Sequence, residues 1–142
     1  MSPIEKSMFI IKPEALPFKE RIMSMVEKAG IPILEWRSVK ITEEHLKGLY
    51  PGINGENLEK TKDYLLDKEV LAVVVETEDA VEKLYRLCGE NTKSFLCGED
   101  TIRFSFKNIV SVNEKYNKNI VHRPINKDEA EKHLVLFFPK RD

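Results

Sequence analysis

The amino-acid sequence predicts an α/β fold of the α+β kind, a ferredoxin-like split βαβ sandwich in which helices cover an antiparallel sheet. Residues 70–75 (VLAVVV) are apolar at every position, which indicates a strand that is buried on both faces. The pattern along the chain runs strand, helix, strand, two helices, strand, helix, loop, strand and helix, an order typical of this sandwich. The length of 142 residues predicts one domain, residues 1–142.

The first third of the chain predicts a strand, a helix and a second strand. Residues 8–11 form an apolar, β-prone run that stops before Pro13. Pro17 suits the first turn of a helix and Gly30 suits its end, while residues 31–41 predict the second strand. The buried side of the helix is indicated by a stripe of apolar residues, Ile22, Met25, Val26 and Ala29.

The middle of the chain predicts three helices around the buried strand. Thr42 is a suitable N-cap for a helix whose first turn is acidic and which ends near residues 50–52. Residues 58–66 predict a second short helix. After the buried strand, residues 78–88 predict a third helix, for which Gly89 is the expected C-cap.

The last third of the chain is less regular. Residues 102–106 predict a short extended piece, and residues 107–118 predict a long loop. Residues 120–121 predict the start of the final strand. Asn126, three positions before Glu129, resembles a capping box and predicts the start of a closing helix.

The composition limits the classes of function. The net charge of −1 provides no general attraction to nucleic acids or membranes, so a bound anion needs a local cluster of cations. No apolar run approaches the length that spans a membrane, and the first residues lack a signal-peptide pattern. Cys88 and Cys97 are too few for a disulfide framework and predict a cytoplasmic location, although a redox pair is an alternative.

His122 is the first candidate for chemistry, because it ends the short β-prone run NIVH that begins at Asn119. A neutral imidazole can attack a phosphorus atom and carry the phosphoryl group covalently. Two cations, Lys12 and Arg103, lie at the edges of other apolar runs that are expected to be extended. The alternatives are a structural histidine, a lysine that extends to solvent from a strand end, and an arginine paired with Glu99.

These segments resemble, in the same order, the motifs of the nucleoside diphosphate kinase family. The matching segments are IIKPE (residues 10–14), TIR (residues 101–103) and NIVH (residues 119–122), within a likeness that runs from about residue 8 to residue 138. The resemblance implies a Mg²⁺-dependent enzyme that moves the γ-phosphate of a nucleoside triphosphate to a nucleoside diphosphate through a phosphohistidine on His122. It also implies that Mg²⁺ enters with the nucleotide, without a direct protein ligand, and that the protein forms dimer-based hexamers or tetramers.

The resemblance assigns roles to individual residues. Lys12 would neutralise the transferring phosphoryl group, and Arg103 would offer its planar fork to phosphate oxygens. Tyr50 resembles the tyrosine that orients the active histidine through its hydroxyl, although an aromatic at helical spacing is more often a core residue. Asn119 would bind the sugar hydroxyls or phosphate, unless it is only a turn residue.

Arg86 and Thr92 complete the expected phosphate-binding set. Arg86 precedes Thr92 by six positions, and Thr92 precedes Arg103 by eleven, which matches the spacing of the family's arginine, threonine and arginine. Aligning the chain on Gly89 instead places Tyr85 and Asn91 at the first two positions, but the register with Arg86 and Thr92 is preferred because it reproduces the phosphate-binding chemistry.

The sequence departs from the family beside the proposed nucleophile. Arg123 and Pro124 replace the usual glycine and serine, and His133 stands where the family has a glutamate that hydrogen-bonds the unphosphorylated nitrogen. A neutral His133 could accept that bond, and Arg123 should lower the pKa of His122 and attract phosphate. The expected consequence is an enzyme that is active but slower, or one that is tuned to an unusual substrate.

Two other departures affect nucleotide binding. The phenylalanine that stacks on the nucleobase falls near Asn57 or Leu58, and the loop after Arg103 is about six residues longer than usual. The alternative function is a catalytically weak or inactive nucleotide-binding or regulatory module of the same fold. Single-stranded nucleic-acid binding is a further alternative, but the predicted sheet lacks the paired surface aromatics that such binding uses.

Overall fold

The computed structural model describes residues 3–91, 93–109 and 119–139, and its centre is an antiparallel sheet. The strands lie in the order β2-β3-β1-β4, and helices pack on both faces, so the predicted fold class is confirmed. The strands are β1 (Ile4–Ile11), β2 (Ile33–Lys40), β3 (Glu69–Glu78) and β4 (Val121–His122).

Six α-helices lie within the described ranges, together with three short 3₁₀ helices. The α-helices are α1 (Lys19–Lys28), α2 (Glu43–Leu49), α3 (Gly55–Leu65), α4 (Ala80–Cys88), α5 (Ile102–Ser105) and α6 (Lys127–Phe137). The 3₁₀ helices are Pro13–Phe18, Ser94–Leu96 and Lys107–Ile109. In these described ranges, no helix combines the length and apolarity needed to cross a membrane.

The sheet has a core on each face because successive side chains of a strand point in opposite directions. Phe9 and Ile11 of β1 pack with α1 and α4 on one face, whereas Met8 and Ile10 pack with α2 and α6 on the other. Strand β3 lies between β1 and β2 and is buried on both faces from residue 70 to residue 75, as its continuous apolarity predicts.

Local capping signals in the sequence predicted helix ends correctly. The Thr42 hydroxyl accepts a hydrogen bond from the backbone N–H of His45 (3.2 Å), and Asn126 Oδ1 accepts one from Glu129 (2.8 Å). Gly89 ends α4 with φ +118°, where a Cβ atom would lie 2.7 Å from Cys97 Sγ. A larger residue there would strain the backbone and displace its neighbour.

Two predictions about local structure need correction. Residues 102–106 are not extended: α5 forms there because the Thr101 hydroxyl caps it by accepting a bond from Phe104 N–H (3.2 Å). The apolar residues Ile102 and Phe106 are four positions apart, so one face of a helical turn buries both. Pro17 belongs to the 3₁₀ helix that precedes α1 rather than to the first turn of α1. Residues 110–118 of the predicted loop lie outside the described residues.

Candidate active site

Strand pairing brings the first and last motifs together at one end of the sheet. His122 lies opposite Ile10 in the β1–β4 pair, and Lys12 directly follows β1. The backbone N–H of Lys12 donates to the carbonyl of Ile120 (2.9 Å), and its Nζ donates to Asn119 Oδ1 (2.6 Å). Segments that are about 110 positions apart in the sequence thereby form one site.

The turn that leads into His122 has an unusual backbone. Ile120 has φ +78°, a conformation that is unfavourable for a β-branched residue. Its backbone N–H donates to Glu14 Oε2 (3.0 Å), its carbonyl accepts from Lys12, and its side chain is completely buried. These interactions hold Ile120 in place, so the position of His122 depends on the segment that carries Lys12 and Glu14.

Lys12 is a buried basic residue whose charge depends on what the site holds. Its side chain is only 3% exposed, and burial lowers the pKa of Lys12 from 10.5 to about 7, an effect that Glu14 partly opposes. Arg103 and Arg123 lower that pKa further because they are like charges. A phosphate group entering this site would restore the charged form of Lys12.

Arg103 is fixed by backbone carbonyls rather than by a carboxylate. Its guanidinium donates to the carbonyls of Asn119 (3.2 Å), Gly89 (2.9 Å), Asn91 (3.0 Å) and Val121 (2.9 Å). The alternative of a salt bridge with Glu99 is therefore not what the structure shows. Four of the five N–H donors of an arginine are used in this way, and one on Nη2 is left for a phosphate oxygen.

His122 has two unlike ring nitrogens. Nε2 is buried and has no hydrogen-bond partner, so Nδ1 is the nitrogen that can face a phosphate on the partly exposed side of the ring. Burial, followed by Lys12 and the other neighbouring cations, holds the pKa of His122 well below 6.5. The imidazole is therefore neutral near pH 7, which is the form that can act as a nucleophile.

Tyr50 contacts His122 through its ring. The two rings are edge to face with centroids 5.4 Å apart, and burial raises the pKa of the Tyr50 hydroxyl to about 12. The predicted contact between the two residues is present, but it is an aromatic contact, and no hydrogen bond joins the Tyr50 hydroxyl to the imidazole within the described residues.

The expected hydrogen bond between His122 and His133 is absent, although the residues are neighbours. Their ring centroids are 5.4 Å apart with the planes at 42°, and both Nε2 atoms are buried without a hydrogen-bond partner. His133 is 1% exposed, and burial lowers its pKa to about 4. His133 thus lies beside His122 without providing the hydrogen bond that the sequence analysis expects of it.

Arg123 packs against Tyr85 and reaches the same carbonyl as Arg103. Its Cζ atom is 4.3 Å from the Tyr85 ring centroid, and its Nη2 donates to Gly89 (2.9 Å). Arg123 is 8% exposed, and its Nε is buried without a hydrogen-bond partner. The contact makes Tyr85, from the alternative register, a neighbour of the residue that follows His122.

No contact among the described residues brings Arg86 to this cluster. The Arg86 side chain is 72% exposed and forms an ion pair with Glu82 (2.7 Å) one turn earlier in α4. Thr92 lies outside the described residues. The roles expected for both residues therefore remain predictions.

The sequence reading missed Glu14 and Tyr64 as members of the site. The Tyr64 hydroxyl donates to both Glu14 oxygens (2.6 and 2.7 Å), and burial followed by the nearby Glu14 charge raises the pKa of Tyr64. Lys12 Nζ also lies 5.6 Å from the Tyr64 ring centroid. Glu14 could have been noticed two positions after Lys12, but no local pattern marks Tyr64.

A cleft of about 220 Å³ lies beside the cluster, where α2 and α3 meet. Leu58 lines this cleft, whereas Asn57 is exposed, so Leu58 occupies the position from which a side chain can contact a bound group. The other lining residues are Glu43, Leu46, Lys47, Tyr50, Gly52, Ile53 and Lys62.

Comparison with other sequences identifies relatives of this chain. The sequence profile of the family described as nucleoside diphosphate kinase matches residues 5–142. A nucleoside diphosphate kinase of Saccharolobus islandicus is 27% identical over 142 residues and is aligned over 98% of both proteins. A thioredoxin domain-containing protein 3 homolog of Heliocidaris crassispina is 28% identical, and the match covers 97% of this chain and 16% of that protein.

Comparison with solved structures shows that the fold is also that of nucleoside diphosphate kinases. The apo nucleoside diphosphate kinase of Encephalitozoon cuniculi superimposes with a TM-score of 0.82 and 26% identity, covering 96% of this chain and 90% of that one. The nucleoside-diphosphate kinase of Borrelia burgdorferi with bound vanadate and ADP gives a TM-score of 0.78 at 22% identity, covering 98% and 94%. Since the family profile spans almost the whole sequence, this chain belongs to the nucleoside diphosphate kinase family.

Proposed function

We propose that the protein transfers the γ-phosphate of a nucleoside triphosphate to a nucleoside diphosphate through a phosphohistidine on His122. The observation that carries the proposal is a neutral imidazole whose Nδ1 side is partly open and whose neighbours include the basic residues Lys12, Arg103 and Arg123. Positioned cations do most of the catalytic work in phosphoryl transfer because charge builds up on the phosphate oxygens.

In the first half-reaction, the lone pair of His122 Nδ1 attacks the γ-phosphorus and forms the N–P bond. The bond between that phosphorus and the bridging oxygen breaks, and its electron pair leaves with the nucleoside diphosphate. The proton on Nε2 stays on the ring, so the phosphorylated imidazole carries a positive charge. In the second half-reaction, a phosphate oxygen of another diphosphate attacks the phosphorus, and the N–P bond returns its electrons to Nδ1.

Each neighbour of His122 has a separate role in this proposal. Lys12 contributes positive charge and, through its bond to Asn119, the orientation of the amide that would bind the sugar or phosphate. Arg103 contributes one N–H and a fixed charge, and also holds the backbone on either side of Ile120. Arg123, whose Nε lacks a partner, supplies an additional phosphate contact beside the nucleophile.

The nucleoside would lie in the cleft lined by Tyr50 and Leu58. Leu58 offers apolar contact to a base but no stacking face, which predicts weak discrimination among bases. Arg86 would bind phosphate only after it leaves its ion pair with Glu82, and the phosphate-binding role expected for Thr92 stays a prediction. Mg²⁺ bound to the nucleotide would neutralise phosphate charge, and the site suits delivery in this way because it is rich in cations and imidazoles rather than in oxygen ligands.

Self-association in dimer-based hexamers or tetramers is also part of the proposal. Strand β2 lies at an edge of the sheet, and its Trp36 (58% exposed) and Leu34 (47% exposed) form an apolar surface that a second copy would cover. A cytoplasmic location is expected as well, and the two buried cysteines, Cys88 and Cys97, are both free thiols.

Initial-rate kinetics would test the proposed function. With the triphosphate as donor and a different nucleoside diphosphate as acceptor, a covalent intermediate gives parallel lines in double-reciprocal plots at several fixed donor concentrations. Intersecting lines would instead require both nucleotides to bind together, and absence of transfer would reject the proposal.

One observation favours a catalytically weak or inactive nucleotide-binding module as the second candidate. Nε2 of His122 has no acceptor to stabilise the charge that phosphorylation places on the ring. A protein of this second kind would bind ADP in a calorimeter but would transfer no phosphate, so the two candidates separate on the same sample.

A further inference from the structure

His122, Glu129 and His133 form a compact group of ligand atoms beside the proposed nucleophile. One atom from each side chain lies within 4.8 Å of the others. Glu129 and His133 are four positions apart on α6 and therefore share a face of that helix, and His122 ends β4. A strand end and a helix hold the three residues, so the group does not depend on a loop.

A second observation is that the two histidines of this group leave ring nitrogens without a hydrogen bond. The Nε2 atoms of His122 and His133 are both buried without a hydrogen-bond partner, and the His133 side chain is 1% exposed. Leaving a buried polar atom without a partner costs about 1–3 kcal/mol. Two such atoms in neighbouring rings are available to bind one common ligand.

We propose that His122 Nε2, His133 Nε2 and the Glu129 carboxylate form a binding site for a divalent transition-metal ion of the Zn²⁺ class. Two imidazoles and one carboxylate are a common ligand set for zinc, with water or another ligand at the fourth position. The ligand types exclude Mg²⁺ and Ca²⁺ as preferred occupants because those ions select oxygen ligands. This site is distinct from the Mg²⁺ that would arrive with a nucleotide.

The surrounding positive charges favour transition metals over hard cations at this site. Lys12, Arg103 and Arg123 act electrostatically on the His122 ring and oppose any further positive charge. A hard cation would gain too little from two imidazole nitrogens to overcome that repulsion. A transition metal forms much stronger bonds to imidazole, so it is the class of ion that this cluster retains.

Metal binding would switch off phosphoryl transfer, a consequence that rests on the proposed function. A neutral imidazole carries one proton and one lone pair on its two nitrogens. A metal on Nε2 of His122 uses the lone pair there and leaves the proton on Nδ1, which then has no lone pair for the phosphorus. A metal on Nε2 therefore prevents Nδ1 of His122 from accepting a phosphoryl group.

The direct test is calorimetric titration of the full chain with Zn²⁺ in the absence of nucleotide, repeated with Co²⁺, whose absorption spectrum reports a tetrahedral site. Glu129→Gln removes the carboxylate charge at a partly exposed position, and Glu131→Gln is the matched control on the exposed side of the same helix. We expect one Zn²⁺ per chain for the native protein and for the control, with affinity at least roughly tenfold weaker in Glu129→Gln. A tenfold excess of Mg²⁺ should not compete.

Equal affinities in Glu129→Gln and Glu131→Gln, or no stoichiometric binding to the native protein, would overturn the site. The switch is tested separately by the rate of His122 labelling with ATP as Zn²⁺ is added. That rate should fall in the native protein and the control but not in Glu129→Gln, and an equal fall in all three would overturn the switch. Absence of labelling without Zn²⁺ would reject the proposed kinase function while leaving the calorimetric result intact.

Discussion

The Nζ of Lys12 donates a hydrogen bond of 2.6 Å to Asn119 Oδ1, although 107 positions separate the two residues. Lys12 follows the first strand and Asn119 precedes the last, so this bond joins the two motifs that carry the proposed chemistry. It also ties the ammonium group to the amide that would receive the sugar or phosphate. The site is therefore assembled by the sheet topology before any ligand enters.

Lys12 should take up a proton when a nucleotide binds. Burial lowers its pKa from 10.5 to about 7, so at pH 8 the free protein holds it mostly neutral, and a bound phosphate favours the charged form. In the free protein the unfolded chain binds more protons between pH 7 and 10.5, so stability rises with pH across that window. ADP titrations at pH 8 in buffers of different ionisation enthalpy should show net proton uptake. The uptake should vanish in Lys12→Gln, and its persistence there would assign the proton to another group.

Phosphoryl transfer should remain active below the pH at which an ordinary histidine is protonated. The acid limb of a rate profile for an unperturbed imidazole would lie near ~6.5. Burial and Lys12 hold the pKa of His122 well below 6.5, so the neutral nucleophile persists to lower pH. Rates of His122 phosphorylation measured from pH 8 down to pH 5 should show the acid limb displaced downward. A midpoint at or above 6.5 would contradict the buried, cation-surrounded imidazole.

Arg103→Lys should destabilise the fold as well as slow transfer. The sequence suggests a side chain devoted to phosphate, whereas the structure shows a guanidinium bonded to four buried or partly buried carbonyls. Lysine keeps the charge but cannot reach all four, and at about 1 kcal/mol for each lost bond the expected loss is roughly 2–4 kcal/mol. Urea unfolding measures it. The control Arg86→Lys alters an exposed arginine and should change stability by less than about 0.5 kcal/mol, so equal effects would refute the structural role.

Leu58→Phe should strengthen nucleotide binding. Leu58 lines the cleft between α2 and α3, and an aromatic ring there would stack on a base, with a gain of about 1 kcal/mol or roughly fivefold in affinity. Asn57→Phe places the same ring one position earlier on an exposed side chain and should leave affinity unchanged. Calorimetric Kd values for ADP compare the two variants. A larger gain from Asn57→Phe would mean that the base lies elsewhere.

Features encoded by neighbouring residues could be predicted from the sequence. Thr42 and Asn126 cap helices through hydrogen bonds to residues three positions later. The continuous apolar run of β3 likewise predicts that this strand is buried. The prediction of an extended segment at residues 102–106 was wrong because apolar and polar residues alternate there as they do in a strand. The cap by Thr101 and the core contacts of Ile102 and Phe106 favour a helical turn instead.

The detailed chemistry of the site could not be predicted, because it depends on segments that meet only in the folded chain. The motif order placed Lys12 and His122 in one site, and strand pairing brings them together. The bond from Tyr64 to Glu14 spans 50 positions, and the engagement of Arg103 by carbonyls requires a particular approach of three backbone segments. No sequence pattern specifies that His133 approaches His122 without a hydrogen bond.

The most direct test of the central claim is the fate of the label after incubation with γ-labelled ATP and Mg²⁺. The account predicts one labelled residue, His122, with a bond that is stable to base, labile to acid, and discharged by a nucleoside diphosphate. His122→Ala should abolish the label, whereas His45→Gln, which changes a histidine that caps α2, should retain it. An unlabelled native protein, or undiminished labelling of His122→Ala, would contradict the account.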